Sequence, residues 1–250
     1  MNKIKVVLLG TNGWYDTDTG NTICTLIICP DFYIILDAGT GIYKLDRYIN
    51  NEKPVYIFLS HFHIDHIQGL HILNKFKIKK GLYIFGQKGT KKALGTLINS
   101  PFSAPLENLP YETEIIEVPE QINKLPFKAR VLPLEHSDIT LGIQIEIGGK
   151  IISYCPDTDY CENAIKLAKN ADLLITECAF KSGQENKEWP HLNPEKAAKI
   201  AKIAFCKKLV LVHFDANNYK LIDDRKNAEN IAKKYFSDSI AGIDDMEIEV

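Results

Sequence analysis

Between positions 61 and 66 the chain reads His61-Phe62-His63-Ile64-Asp65-His66, three imidazoles and a carboxylate in six residues. Imidazole nitrogen and carboxylate oxygen are the usual ligands of divalent zinc, manganese and iron. Four such groups in one turn exceed what a single tetrahedral ion needs alongside partners from elsewhere, so the run predicts two metals. The apolar stretch Val55–Leu59 directly precedes it and reads as a buried strand. The cluster is therefore delivered at a strand's C-terminal end.

Three further ligand candidates occupy the same kind of position. His136 follows the apolar run 131–134, Asp157 follows 151–154, and His213 follows 209–212. Alone, a His or Asp at a strand end is more often a turn or surface group. One position recurring three times beside the 61–66 cluster reverses that reading and predicts strand tips converging on one edge. Cys155, close to Asp157, is a weaker ligand candidate.

The elements that must carry these groups can be read from the hydrophobic pattern. Runs at 5–9, 24–29, 33–36 and 55–59 alternate with Gly, Asn or Asp turns, as successive strands do. Helical spacing is expected from 65 to 76 and from 89 to 98, with a strand at 83–85 between them. A proline-bearing loop is expected at 99–111. Strands are expected at 115–118, 129–134, 140–147 and 150–154, with Gly148-Gly149 as a hairpin turn. Then helices at 161–169, 194–205 and 225–236 alternate with strands at 173–176 and 209–212. Asn193-Pro194 supplies an N-cap and a proline at the first helical position. Strands followed by strand–helix alternation, in two similar halves, predict an α/β fold of two face-to-face sheets with helices outside.

Composition bounds the rest. At 250 residues the chain can bury a full core, and no low-complexity linker divides it, so 1–250 reads as one domain. A net charge of −2 argues against a globally basic nucleic-acid binder. No run of 18 apolar residues appears, so no membrane span is expected. Residues 1–10 are too short in their apolar part for a signal peptide and read as a first strand. The six scattered cysteines form no Cys-x-x-Cys and read as reduced thiols of a cytoplasmic protein. Lys75, Lys77, Lys79, Lys80, Lys88, Lys91 and Lys92 are the basic concentration; a solvated face is its commoner meaning.

With its His-x-His-x-Asp-His run after an apolar strand, and His136, Asp157 and His213 in order behind it, the chain resembles the metallo-β-lactamase superfamily. The resemblance implies an αββα four-layer sandwich of two mixed β-sheets. It implies that His61, His63 and His136 hold one metal, that Asp65, His66 and His213 hold the second, and that Asp157 bridges them. It also implies a metal-bridging hydroxide, held by Asp157 and Asp65, as the attacking group. Two ions about 3.5–4 Å apart can share and acidify a water and clamp the attacking and leaving oxygens. Zinc is the first expectation, with manganese or iron accepting the same ligands.

The segment 173–180 with its Thr176-Glu177-Cys178-Ala179, followed by His191 ahead of the capped helix, is similar to the ribonuclease Z branch. In that branch a carboxylate and a second histidine stand at the positions of Glu177 and His191. A carboxylate orienting an imidazole suits proton delivery to a leaving oxygen. The opening 8–11 and 20–22, the Asp37-Ala38-Gly39-Thr40-Gly41 stretch and the tail 244–248 agree with that branch. Ribonuclease Z proteins commonly carry a tRNA-gripping arm between the third histidine and the bridging aspartate. Here strands and the Gly148-Gly149 turn fill that interval. The expected substrate is therefore a small cyclic phosphodiester or a short RNA or DNA. Thioester or lactone hydrolysis on the same metals is the alternative, with an RNA-processing or RNA-binding subunit of ribonuclease Z type after it. Many relatives pair as homodimers, and the sequence leaves that open. Trp14 and Tyr15 in the first loop read equally as local packing or as the lining of a substrate mouth, and His71 reads as structural.

Overall fold

A computed structural model describes residues 4–250; residues 1–3 of the expected N-terminal strand lie outside the described residues. In chain order the first half contains β1 (Lys5–Gly10), β2 (Asn12–Gly13), β3 (Cys24–Ile28), β4 (Tyr33–Leu36), β5 (Val55–Leu59), α1 (Ile64–Ile67), β6 (Leu82–Gly86), α2 (Thr90–Leu97) and β7 (Thr113–Glu117). The second half contains β8 (Lys128–Leu134), β9 (Thr140–Ile147), β10 (Lys150–Cys155), α3 (Glu162–Ala168), β11 (Leu173–Glu177), α4 (Pro194–Ile203), β12 (Leu209–Val212), β13 (Phe214–Asp215), α5 (Ile222–Lys233), β14 (Ser239–Ala241) and β15 (Glu247–Glu249).

Two mixed sheets result. One has the order β15-β1-β3-β4-β5-β6-β7, antiparallel from β15 to β4 and parallel from β4 to β7. The other has the order β14-β12-β11-β10-β9-β8, parallel from β14 to β10 and antiparallel beyond. The side-chain period of two explains the layering. Val6, Leu8 and Phe58 of the first sheet point inward and pack with Ile143, Ile152, Ile175 and Val210 of the second. Their neighbours Val7, Leu9, Ile57 and Leu59 point outward, under Ile42, Leu45, Leu70 and Leu94 of the covering helices. On the far side Leu174, Leu209 and Leu211 meet Ala197, Ala201, Ala228 and Ala232. Strands buried on both faces must be apolar at every position, which is why β5 reads as an unbroken run. The layers are helix, sheet, sheet, helix, as the resemblance implies.

Some local expectations shift. The segment expected to be helical at 65–76 is one α-turn, Ile64–Ile67, continued as a 3₁₀ segment, Gln68–Lys75. Gly69 explains the tightening: a Cβ there would lie 2.3 Å from the Gly39 carbonyl oxygen, so this chain passes directly against the 38–39 backbone. The last helix begins at Ile222 rather than 225 and ends at Lys233 rather than 236. A further 3₁₀ segment, Thr40–Arg47, and the short strands β2, β13, β14 and β15 carry no periodic signal strong enough to predict. The hairpin between β9 and β10 is as expected, with φ of 57° at Gly148 and 78° at Gly149. It leaves no inserted arm between His136 and Asp157.

Candidate metal and catalytic site

The parallel relationships put the C-terminal ends of β8, β10, β11 and β12 on one side of the second sheet. His136, Asp157 and His213 come just after β8, β10 and β12, and Glu177 closes β11. The 61–66 run after β5 meets them. His61, His63, His136 and Asp157 offer ligand atoms that all lie within 4.8 Å of one another, and so do Asp65, His66 and His213. Every ligand candidate at 61–66, 136, 157 and 213 is thus brought together. Cys155 is not: its side chain is buried in the outer core with Ala164 and Leu174.

Asp157 faces both groups. Its Oδ1 lies 3.1 Å from His66 Nε2 and 3.3 Å from His213 Nε2, while Oδ2 lies 3.7 Å from His136 Nε2. Within the groups, His66 Nε2 is 3.2 Å from His213 Nε2, His213 Nε2 is 3.3 Å from Asp65 Oδ2, and His136 Nε2 is 3.4 Å from His63 Nδ1. Imidazole nitrogens converge so closely only around a shared proton or a shared cation. One buried atom decides which suits the site. His61 Nε2 has no hydrogen-bond partner among the described residues. Buried polar atoms without partners are rare in folded chains, and lone pairs aimed into a nitrogen–oxygen cluster are what a cation requires. The donor set fits divalent metal ions.

The electrostatics agree. Burial alone would raise the Asp157 carboxyl, but His213, His66 and His61 outweigh it and hold the group well below its ordinary range. Asp65 is likewise pulled down by His66 and His213 against its burial. Burial disfavours charge on His66, yet Asp157, Asp65 and Asp37 outweigh it and raise that imidazole well above its ordinary value. His213 is raised against its burial by Asp157 and Asp65. His61 and His136 go the other way, lowered chiefly by burial.

The ligands are held from behind. His66 Nδ1 lies 2.8 Å from Asp37 Oδ2, and that oxygen also accepts from Ser60 Oγ at 2.8 Å and from Tyr154 Oη at 2.7 Å. Ser60 N donates to Asp37 Oδ1, and Ser60 Oγ lies 3.0 Å from His61 Nδ1. Partners of this kind fix which ring nitrogen faces a metal. Asp37 follows an apolar strand as Asp157 does, but the sequence pattern around it marks no role for its carboxylate. Trp14 N donates to Asp65 Oδ2 at 2.7 Å. A Cβ on Gly13 would meet His213 Cε1 at 2.5 Å, so only glycine lets β2 pass the ring. Trp14, Asp37 and His213 all have positive φ, of 73°, 56° and 51°. Backbone strain of this kind persists where surroundings over-determine it, commonly at functional sites.

Glu177 and His191 are joined as expected. Glu177 Oε1 lies 2.7 Å from His191 Nδ1 and accepts from Thr158 N at 2.7 Å, while Oε2 accepts from Ala179 N at 3.0 Å. Burial opposes charge on His191, but Glu177 outweighs it and raises the imidazole to about 9. His191 also has a ring nitrogen within 4.8 Å of ligand atoms on Asp157 and His213. Above these groups lies a cavity of about 600 Å³ lined by Trp14, His63, Asp65, Asp157, His191 and His213, among others. None of the lysines at 75–92 lines it. Lys75 instead pairs with Asp46 and Lys79 with Glu52. His71 binds the carbonyl of Gln68 on its own 3₁₀ turn, a local structural contact. No helix of the described residues is long and apolar enough to cross a membrane.

Comparison with known proteins agrees with this geometry. A family model described as "Beta-lactamase superfamily domain" matches residues 33–214. The probable metallo-hydrolase YhfI of Bacillus subtilis is 29% identical over 215 residues, covering 84% of this chain and 86% of YhfI. The crystal structure of YhfI superposes with a TM-score of 0.82 at 25% identity, over the full length of both chains. Ribonuclease Z of Pyrococcus horikoshii is 27% identical over 263 residues, covering 84% of this chain and 86% of that protein. The matched span contains every ligand candidate from His61 to His213, and the chain belongs to the metallo-β-lactamase superfamily, a family of metal-dependent hydrolases.

Proposed function

We propose that this protein is a dinuclear phosphodiesterase acting on a small cyclic phosphodiester or the end of a short nucleic acid. The observation that carries this reading is the Glu177–His191 pair beside the His/Asp cluster, in one cavity. His61, His63 and His136 would hold one cation and Asp65, His66 and His213 the other. Asp157, with one oxygen toward each group, would bridge them. Zinc suits this mixture of imidazole and carboxylate, and manganese or iron accept it too. When bound, two such ions supply an acidified water and positive charge against the phosphoryl oxygens.

The residues of the chain do the rest. Asp65 and Asp157 orient the reacting centre and keep the histidine rings in place. Glu177 fixes His191 through Nδ1, which leaves Nε2 to give a proton to the departing alkoxide. A departing alkoxide needs that proton more than a thiolate does, which favours this chemistry over a thioester. The short β9–β10 hairpin supports a small substrate over a whole tRNA. Six free thiols, five of them buried, support a reducing, cytoplasmic setting. The inner core shared by both sheets supports reading 1–250 as one domain.

The test is turnover of bis(p-nitrophenyl) phosphate by metal-stripped protein given back zinc, manganese or iron. Metal-dependent turnover that Asp157→Ala or His63→Ala abolishes together with metal binding is the expected result. Turnover of thioesters or lactones in place of the diester would replace this reading.

A further inference from the structure

The chain has two tryptophans, Trp14 and Trp189, and both line the cavity over the His/Asp cluster. Both are also exposed, at 65% and 48% of their surface. Large aromatic rings are usually well buried, and a single exposed one needs no explanation. Two at one cavity, being all the tryptophan the chain has, call for one.

Each indole borders one of the two ligand groups. Trp14 sits on the turn whose backbone N–H reaches Asp65, and its ring packs edge-on against Tyr15 at 5.1 Å. Trp189 lies over His63, with ring centroids 5.6 Å apart and planes 11° from parallel. The turn carrying Trp14 is held firmly. Asn12 Nδ2 donates to Tyr15 O, Thr17 Oγ1 and Gly20 O, and the buried Arg225 binds Thr11, Asn12 and Thr19. The backbone that carries this ring is pre-organised, which lowers the entropy lost when something stacks on it.

Indole faces are electron-rich and do not complement a phosphate. What they complement is another flat ring, and base–aromatic stacking accepts every base because each has a π-face. A phosphodiester bound over the cluster by its anionic oxygens would place its remaining atoms in the cavity that both rings line. A purely aliphatic or sugar diester would leave both faces against water. A cavity of about 600 Å³ has the size of a small-molecule site.

We propose that Trp14 and Trp189 form an aromatic subsite that takes the nucleobase of a nucleotide diester and so sets substrate specificity. This rests on the phosphodiesterase reading and narrows it from cyclic sugar phosphates to base-bearing substrates.

Because the two indoles are the whole tryptophan fluorescence of the chain, binding can be read without turnover. Zinc-loaded protein is titrated with adenosine 5′-monophosphate and, in parallel, with ribose 5-phosphate, which lacks only the base. Saturable quenching by the first and none by the second is expected, with Trp14→Phe and Trp189→Phe each removing part of the signal. Equal quenching by both probes, or none by either, would overturn the subsite. The kinetic arm compares kcat/KM for 2′,3′-cyclic adenosine monophosphate with that for cyclic ethylene phosphate. Trp189→Ala should lower this ratio about tenfold or more, the effect of losing one stacked base, and Trp189→Phe should restore most of it. An unchanged ratio would show that Trp189 only supports His63. No turnover of any diester would sink the phosphodiesterase reading instead, and the titration would still decide the subsite.

Discussion

Asp37 Oδ2 stands 2.8 Å from Nδ1 of His66, and both side chains are fully buried. The same oxygen also accepts from Ser60 and Tyr154. Three partners on one buried carboxylate oxygen hold it fixed. The His66 ring is thereby committed to presenting Nε2 to Asp65, Asp157 and His213.

Asp37→Asn should therefore weaken metal binding without touching a proposed ligand. Asparagine keeps the shape and tolerates the positive φ at this position. Loss of such an orienting partner typically costs about 10–100-fold in metal affinity or activity. Zinc titration by calorimetry should show that loss confined to one of two binding events, with activity returning at excess zinc. Unchanged affinity at both would mean that Asp37 serves only the fold.

How much of this was readable beforehand depends on the distance over which each group finds its partner. The ligands at 61–66 advertise themselves because four polar groups crowd the end of one apolar strand. His136, Asp157 and His213 repeat the same placement, so position in the strand was enough. Asp37 has that placement too, but its partners Ser60, His66 and Tyr154 are scattered along the chain. Nothing local marks one carboxylate as a ring-orienting group. The Glu177–His191 contact spans 14 positions and became legible through family resemblance. Helix α5 starts earlier than its apolar pattern indicates, because Leu221 and Ile222, at 65% and 46% exposure, sit outside the apolar stripe that marks a helix face. Strands β14 and β15, three residues each, owe their form to the sheet edges they join.

Metal binding should release protons. His66 and His213 hold theirs above the ordinary histidine range because, against their burial, the carboxylates of Asp157 and Asp65 favour the charged ring. A metal binds only the neutral ring, so each proton must leave. A raised ligand pKa extends proton competition to higher pH. Apparent zinc affinity should consequently climb as pH rises through neutrality and fall in mild acid. Calorimetry in two buffers of different ionisation enthalpy counts the protons: at least one per chain is expected at neutral pH. Heats independent of buffer would rule out this charge arrangement.

His191 should titrate late in chelated protein. Its burial lowers the pKa, but Glu177 outweighs this and brings the value to about 9. The sign follows from a folded value above the unfolded value of about 6.5. The ring's contribution to stability is complete below about 6.5 and is lost as pH rises through about 9. Histidine NMR of metal-free protein should place the midpoint well above 6.5. Glu177→Gln should lower it, because burial stays while the strongest opposing charge goes and only Asp157 and Asp215 still favour the charged ring. Cations bound alongside add positive charge and lower the value, so the alkaline limb of kcat belongs below pH 9. A midpoint untouched by Glu177→Gln would remove the reason for treating the two residues as a unit.

The last prediction concerns Arg225, the largest fully buried side chain. Its guanidinium donates to Thr11 Oγ1 at 2.7 Å, to Gly242 O at 3.2 Å, to Thr19 Oγ1 at 3.2 Å and to Asn12 Oδ1, and it lies 4.8 Å over the Phe214 ring. Burial lowers its pKa to about 10, which still leaves it charged at neutral pH. Asn12 and Gly13 form β2, which pairs with Phe214 and Asp215 immediately after His213. Arg225 thus binds together the two short strands that hold His213 in its left-handed conformation. Arg225→Met keeps much of the bulk and removes every donor, leaving several buried acceptors unmatched. The expected cost is on the order of 3 kcal/mol of unfolding free energy, read by urea denaturation of chelated protein. Among folded molecules, the zinc affinity that depends on His213 should fall more than the affinity that depends on His61, His63 and His136. Equal loss at both would reduce Arg225 to a general stabiliser with no hold on the His213 turn.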